Sequence, residues 1–246
     1  MTYNSYLISI LMITFYLLIP IAFSISDTEL GHKCVPNNKT YTNIYNENRA
    51  SVSINVIANT ASNQGFRKAW INNTKNDPAY GLAMCRFDVS DDECTKCVSN
   101  AAQTLINTHC PNSRSAIIWH DFCFFKYSDV DFFGIIDTEN MFILSGDSSP
   151  MSREFANATR NLTDSLQKSA IEGSTLYAYG ESVLKDDTYI VYAIAQCTRD
   201  LSKANCLSCL EGITSRLENL FVTYQGVRVV CGSCNVRYET NSFLTS

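Results

Sequence analysis

Hydrophobic residues recur at helical spacing in four segments, two in each half of the chain. One segment follows a Ser90-x-x-Glu93 capping box, a signature of a helix start, and its counterpart follows Ser202. Their apolar positions are Cys94, Cys97, Val98, Ala101 and Leu105, and then Cys206, Cys209, Leu210, Ile213, Leu217 and Leu220. Each helix is therefore predicted to turn two cysteines toward a core. Two earlier helices are predicted to bury Ile54, Ile57, Ala58 and Ala61, and Phe155, Leu162, Leu166 and Ala170.

Segments rich in β-branched and aromatic residues lie between the helices and predict strands. These segments are residues 79–86, 115–127, 141–144, 175–179, 189–197 and 227–239. Helices and strands of this order predict an α+β fold in which two helices pack on an antiparallel sheet in each half of the chain.

The two halves are copies of one module. The pattern C-x8-C-x2-C begins at Cys85 and again at Cys197, 112 residues later, and one further cysteine follows each copy at Cys123 and Cys234. This offset is the size of a small domain. The sequence therefore predicts one domain over residues 27–136 and a second over 140–246, with a short polar linker between them.

The first 26 residues predict export. Residues 7–23 carry no charge, and small residues follow Pro20, which favours a cleaved signal peptide with cleavage after Ser24 or Ser26. A transmembrane anchor is the alternative, since this run of about 17 residues is at the lower limit of a membrane span. No second apolar run of that length follows, so the mature chain is expected to be secreted without a membrane anchor.

Eleven cysteines in an exported chain predict a disulfide framework. The six of the first copy allow many pairings, of which geometry favours Cys85–Cys94, a strand end beside the next helix start. The Cys-x2-Cys pairs could indicate zinc, but the three histidines (His32, His109, His120) have no matching spacing, so no metal or cofactor is predicted. Four sequons predict N-glycosylation: Asn38, Asn72, Asn157 and Asn161.

Charge and motifs exclude several functions. The net charge is −5 and no stretch is rich in Lys or Arg, which argues against a nucleic-acid partner. The acidic runs 91–93 and 186–187 fall at a helix start and in a loop, where carboxylates face solvent or cap helices. A Cys/His nucleophile would need a histidine near Cys231, and the second half contains none. No enzyme is predicted.

The doubled cysteine pattern, the segment 233–239 (SCNVRYE) and Phe132-Phe133-Gly134 resemble the plant cysteine-rich repeat secretory proteins, whose module is also called the stress-antifungal or ginkbilobin-homologous domain. The resemblance implies a five-stranded antiparallel sheet in each module and a location in the apoplast. It also implies the pairings Cys34–Cys110, Cys85–Cys94 and Cys97–Cys123, and then Cys197–Cys206 and Cys209–Cys234.

Cys231 has no partner in the pattern that the family implies. It is expected to be a buried or strand-edge thiol, and the alternative is an intermolecular disulfide. Its exposure distinguishes the two.

A mannose site known in this family can be tested position by position. The resemblance assigns sugar contacts to an Asn, an Arg and a Glu, and the first copy has Val35, Ile117 and Ser128 there. The second copy retains Arg228 and Glu239, with Gly146 or Asp147 nearest to the Asn. These two side chains could hold a sugar, but we expect them to form a cross-strand ion pair instead.

Two functions follow as hypotheses. The first is a non-catalytic interaction module in stress or defence that binds a receptor ectodomain or a second copy of itself through an apolar strand, residues 117–119 and 122–125, if that strand is exposed. The alternative for the strand is burial in the core and between the domains. The second hypothesis is a carbohydrate-binding antifungal lectin that binds mannose or a cell-wall or fungal glycan through the second domain.

Overall fold

The computed structural model describes residues 27–36, 39–72, 77–184 and 189–244. The predicted signal peptide, residues 1–26, lies outside the described residues, as do the sequon residue Asn38 and the acidic pair Asp186 and Asp187.

The first half forms a five-stranded sheet covered by two helices. Its elements are β1 (Glu29–Val35), α1 (Asn43–Asn59), β2 (Phe66–Ile71), β3 (Ala79–Cys85), α2 (Asp91–Thr104), β4 (Ser115–His120) and β5 (Cys123–Ser128). The strand order is β1-β4-β5-β3-β2, and every pair is antiparallel.

The second half repeats this arrangement. Its elements are β6 (Met141–Ser145), α3 (Arg153–Ala170), β7 (Tyr177–Val183), β8 (Ile190–Cys197), α4 (Lys203–Thr214), β9 (Val227–Cys231) and β10 (Cys234–Glu239). The order β6-β9-β10-β8-β7 matches the first sheet strand for strand. The predicted fold class, two tandem α+β modules, is confirmed.

All four helices begin at a hydroxyl side chain. Thr42, Ser90, Ser152 and Ser202 each accept a hydrogen bond from the backbone N–H three residues later. These caps satisfy donors that a helix start leaves free. The Ser90 cap is the full capping box that the sequence predicts, because Glu93 also accepts from the backbone of Ser90.

The stripe predicted for α1 is only partly correct, since Ile57 and Ala61 pack against the core but Ala58 is exposed. Ile54 is exposed, and the helix instead buries Tyr45, Val52 and Val56 together with polar residues. Arg49 is buried because its guanidinium donates to the Tyr127 hydroxyl and the Cys110 carbonyl. Polar residues with partners on the sheet shift the buried face away from the one that hydrophobicity indicates.

The long strands predicted at 115–127 and 227–239 are each a hairpin. The first turns at Asp121 and Phe122 between β4 and β5, and the second turns at Gly232 and Ser233 between β9 and β10. In the first hairpin both arms are buried and largely apolar, so the periodicity gives no sign of the turn. In the second, β9 is buried and β10 alternates buried with half-buried polar residues.

Five disulfides connect the helices to the sheets. They join Cys34 to Cys110, Cys85 to Cys94, Cys97 to Cys123, Cys197 to Cys206 and Cys209 to Cys234. These are the pairs that the family resemblance implies. Four of them tie α2 and α4 to their sheets, and the fifth ties β1 to the segment after α2.

We predict that Gly81→Ala destabilises the protein, because a Cβ at this position would lie 2.3 Å from a methyl group of Val52, where α1 packs on β3. Overpacking of this kind costs about 1–3 kcal/mol of unfolding free energy. Urea denaturation measures it.

The matched control is Gly212→Ala in α4, where a Cβ meets nothing within 4 Å. It should raise the unfolding free energy by about 0.5–1 kcal/mol. Equal effects of the two substitutions would contradict the close approach of α1 to β3.

Candidate functional site

The two domains pack through the sheet faces that point away from their helices. A buried apolar cluster spans this contact and contains Leu82, Met84, Ile117, Trp119, Phe124 and Val230. The Trp119 indole N–H donates to the Cys231 carbonyl at 3.1 Å, and the Lys126 ammonium donates to the Gly232 carbonyl at 2.6 Å. The second hairpin is therefore held directly against the first sheet.

This contact decides between the two interpretations of the apolar strand 117–125. Ile117, Trp119 and Phe124 are buried between the domains, and Ile118 and Phe125 are buried in the core of the first domain. The hypothesis that this strand is an exposed partner-binding surface is wrong. Alternate residues fill the core and the inter-domain contact instead.

Charged residues surround one carboxylate at the rim of the contact. Asp121, in the turn of the first hairpin, pairs with Arg228 and with Arg237 of the second domain, and Arg86 approaches to 3.6 Å. Asp88, also in the first domain, binds Arg86 at 2.6 Å. The first domain therefore contributes both signs of charge, and the second domain contributes two arginines. We call Asp121 and these three arginines the inter-domain charge cluster.

The predicted ion pair between Arg228 and Glu239 is wrong. The register of β9 and β10 places Arg237 directly opposite Arg228, and Glu239 accepts from Arg237 at 3.1 Å. Arg228 is 8% exposed and points to Asp121 instead. Burial lowers the pKa of its guanidinium to about 10, although the neighbouring carboxylate of Asp121 opposes this effect.

The two residues predicted to hold a sugar do not form a sugar site. Arg228 is occupied by Asp121, and the cavity beside it has a volume of about 20 Å³. That volume holds about one water molecule. The Glu239 carboxylate is packed on Gly226. A hexose could reach Arg228 only if the domains separated.

Cys231 is a buried thiol. It is 2% exposed, and its sulfur lies 3.5 Å from the Cys234 sulfur and 3.8 Å from the Cys209 sulfur, both of which belong to one disulfide. Burial raises the pKa of this thiol to about 11. The hypothesis of an intermolecular disulfide is wrong, since the sulfur does not reach the surface.

The sequon residues that the structure describes are at the surface. Asn72 follows β2, and Asn157 and Asn161 lie one turn apart on the outer side of α3; all three are exposed. Their occupancy by glycans stays a prediction.

One surface feature was not found from the sequence. Trp70 on β2 is 60% exposed and stacks on Tyr80 of β3, with ring centroids 6.3 Å apart. Tyr80 in turn meets the edge of Phe133, and the exposed Lys68 places its ammonium 4.9 Å from the Phe133 ring centroid. We call Lys68, Trp70, Tyr80 and Phe133 the aromatic surface. Of its residues, only Phe133 lies in a motif noted in the sequence, Phe132-Phe133-Gly134.

The chain contains two copies of one domain, in which helices pack on a sheet and are linked to it by disulfides. The two domains contact one another through their sheets. This arrangement defines a tandem cysteine-rich protein. The chain belongs to the salt stress response/antifungal family, whose domain matches residues 33–130 and 145–241. The family resemblance inferred from the cysteine pattern is thus confirmed.

Relatives cover most of the chain. An antimicrobial ginkbilobin-2-like protein of Castanea crenata is 39% identical over 87% of this chain and 88% of its own length. Cysteine-rich repeat secretory protein 38 of Arabidopsis thaliana is 36% identical over 87% of this chain and 85% of its own.

Solved structures share the fold. The tandem DUF26 ectodomain of the Arabidopsis thaliana cysteine-rich receptor-like protein PDLP8 has a TM-score of 0.72 at 26% identity and covers 88% of this chain and 100% of its own. The corresponding ectodomain of PDLP5 has a TM-score of 0.68 at 24% identity, over 87% and 99% of the two chains. Among the described residues of this chain, we find no helix that is both long and apolar enough to cross a membrane.

We predict that Asp121→Asn weakens domain packing, because it leaves three guanidinium groups around a neutral amide. Removing one member of a buried charge cluster costs on the order of 3 kcal/mol of unfolding free energy. Thermal or urea denaturation measures it. The control Asp92→Asn breaks an exposed pair with Lys96 and should change stability by less than about 1 kcal/mol. Similar losses in both variants would contradict the role of Asp121.

We also predict that Cys231 resists alkylation in the native protein, because its sulfur is buried and its thiolate is disfavoured at pH 8. Iodoacetamide followed by intact-mass analysis should find no added group before unfolding and one after it in 8 M urea without reductant. Stoichiometric labelling of the folded protein would contradict the buried position of this thiol.

Proposed function

We propose that this chain is a secreted, non-catalytic recognition protein of the plant apoplast that binds the extracellular domain of another protein through the aromatic surface. The observation that carries the proposal is the exposed Trp70, held on an edge strand by stacking on Tyr80 and outside the inter-domain contact.

Several features support an extracellular role. Ten of the eleven cysteines are in disulfides, which persist in oxidising compartments. The relatives include secretory proteins and the similar folds are receptor ectodomains. The uncharged run of residues 7–23 fits a cleaved signal peptide and the sequons fit glycosylation.

The chemistry of the described residues favours recognition over catalysis. A cysteine thiol is a potential nucleophile, but the sulfur of Cys231 is buried against a disulfide. The charged groups of the inter-domain charge cluster pair with one another and hold the domains together. The acidic run 91–93 lies in the first turn of α2, where it stabilises the helix.

The aromatic surface has the properties of a binding hot spot. Trp and Tyr carry much of the energy of protein interfaces because they bury large areas with few rotatable bonds. Here the rings already stack on one another, so little side-chain freedom is lost on binding. Lys68 adds an exposed positive charge, so the partner we infer presents apolar and acidic side chains. β2 is also an edge strand, whose free side can pair with an incoming strand.

The test uses the secreted, glycosylated protein in biolayer interferometry against a panel of receptor ectodomains, a second copy of itself, and mannan. We expect binding to at least one protein of the panel, and we expect Trp70→Ala to weaken it by tenfold or more. Tyr179→Ala is the matched control, since Tyr179 is 64% exposed on β7, an edge strand of the second domain. It should leave the affinity unchanged.

Three results would overturn the proposal. They are the absence of binding to every protein tested, equal losses in the two aromatic variants, and mannan binding that is insensitive to Trp70→Ala. The last result, together with loss of binding in Arg228→Ala, would favour the lectin hypothesis and would require the domains to open at Arg228.

A further inference from the structure

A second cluster of chemically capable side chains lies on the first domain, apart from the aromatic surface and the inter-domain contact. The carboxylate of Glu29 accepts one contact from Nδ1 of His32 at 2.9 Å and another from Nε2 of His109 at 3.0 Å. The two imidazole rings are stacked, with centroids 3.6 Å apart and planes within 7° of parallel. We call Glu29, His32 and His109 the histidine cluster.

Local backbone features bring these residues together. Glu29 and His32 are three residues apart on β1, and in a regular strand such residues point to opposite faces. The pairing of β1 with β4 slips between Glu29 and Gly31, so one extra residue turns the strand and both side chains come to the same side. His109 is the last residue of a π-helical turn (Leu105–His109) that extends α2.

A disulfide holds the two segments in place. Cys34 follows His32 by two residues on β1, and Cys110 directly follows His109; these two cysteines are bonded, with Cα atoms 5.6 Å apart. The covalent link therefore fixes the separation of the histidine-bearing segments. The second domain has neither this disulfide nor any histidine, so the cluster belongs to the first domain alone.

The donor set is that of a metal site. Two imidazole nitrogens and a carboxylate oxygen lie within 4.8 Å of one another. Zinc binds imidazole and carboxylate at about 2.0–2.2 Å, so neighbouring ligands of a tetrahedral ion lie ~3.3 Å apart. The nitrogen–oxygen distances in the cluster are close to this value, and rotation of the two rings out of their parallel stack would point both nitrogens at one ion.

The cluster is accessible, unlike the other groupings of ligand types in the described part of the chain. The side chains of His32, Glu29 and His109 are 36%, 31% and 23% exposed. The grouping of Asp27, Cys97 and His120 includes a disulfide sulfur and a buried imidazole. The grouping around Cys231 is buried and contains two sulfurs that are bonded to each other.

The donor types in the cluster also suit a divalent cation. A divalent cation between neutral imidazoles satisfies both nitrogens and the carboxylate at once.

We propose that Glu29, His32 and His109 form a binding site for one divalent transition-metal ion, with Zn²⁺ as the ion that this ligand set fits and water as the remaining ligand. The site ties β1 to the end of α2 beside the Cys34–Cys110 disulfide. The sequence prediction of no metal site rested on the spacing of the histidines along the chain, whereas His32 and His109 meet only in the fold.

Isothermal titration of ZnCl2 into the untagged, chelator-treated protein tests the proposal. We expect one site per chain, with binding weakened at least tenfold in His109→Ala and in Glu29→Gln. Glu47→Gln removes an exposed carboxylate on α1 that is not part of the histidine cluster, and this variant should bind Zn²⁺ like the original chain.

NMR of the histidine rings gives a readout that needs no variant. On addition of ZnCl2, the ring signals of His32 and His109 should shift together, while those of the buried His120 stay in place. Absence of one-to-one binding, retention of binding in His109→Ala, or a shift confined to His120 would overturn the proposal. A denaturation curve of each variant in EDTA shows whether the substitution itself destabilises the fold. A loss of Zn²⁺ binding can then be distinguished from unfolding.

Discussion

The rest of the structure depends on the burial of one sheet face against another. Each sheet carries apolar side chains on both faces, and the helices cover only one of them. Trp119 and Phe124 on the uncovered face of the first sheet are removed from water by Val230 and Phe142 of the second domain. Neither domain alone could bury this surface, which explains why the two modules form one unit with hydrogen bonds and charge pairs across the contact.

This packing also determines which residues are free to act. Arg228 is at a position that the family resemblance assigns to sugar binding, yet the neighbouring domain supplies Asp121 to its guanidinium. The same contact buries Ile117, Trp119 and Phe124, whereas Cys231 is buried in the core of the second domain. What stays outside it is the edge of the first sheet, where Trp70 is exposed. Duplication thus converts a face that a single domain would leave exposed into an internal contact, and it leaves Trp70 exposed at an edge of the first sheet.

The two copies differ where the first copy carries its additional disulfide. The Cys34–Cys110 bond secures β1 beside the end of α2, and the histidine cluster is built on those two segments. In the second copy β6 pairs with β9 in the same topological position without a covalent link to the segment after α4. The sheet hydrogen bonds are sufficient for the fold there, and the covalent link in the first copy allows two side chains from distant segments to keep a fixed distance.

The sequence by itself determined the repeat, the fold class, the helices that carry cysteines and the residues that cap them, because these depend on periodicity and on neighbours a few residues away. The family resemblance added the disulfide pairs. Only the tertiary structure decided the buried face of α1, where Arg49 is inside because its guanidinium donates a hydrogen bond to the Tyr127 hydroxyl. It also decided where the segments 115–127 and 227–239 turn. It also decided the partner of Arg228, the exposure of Trp70 and the meeting of His32 with His109. Each of these depends on contacts between residues far apart in the chain. No local sequence pattern determines how such residues come together.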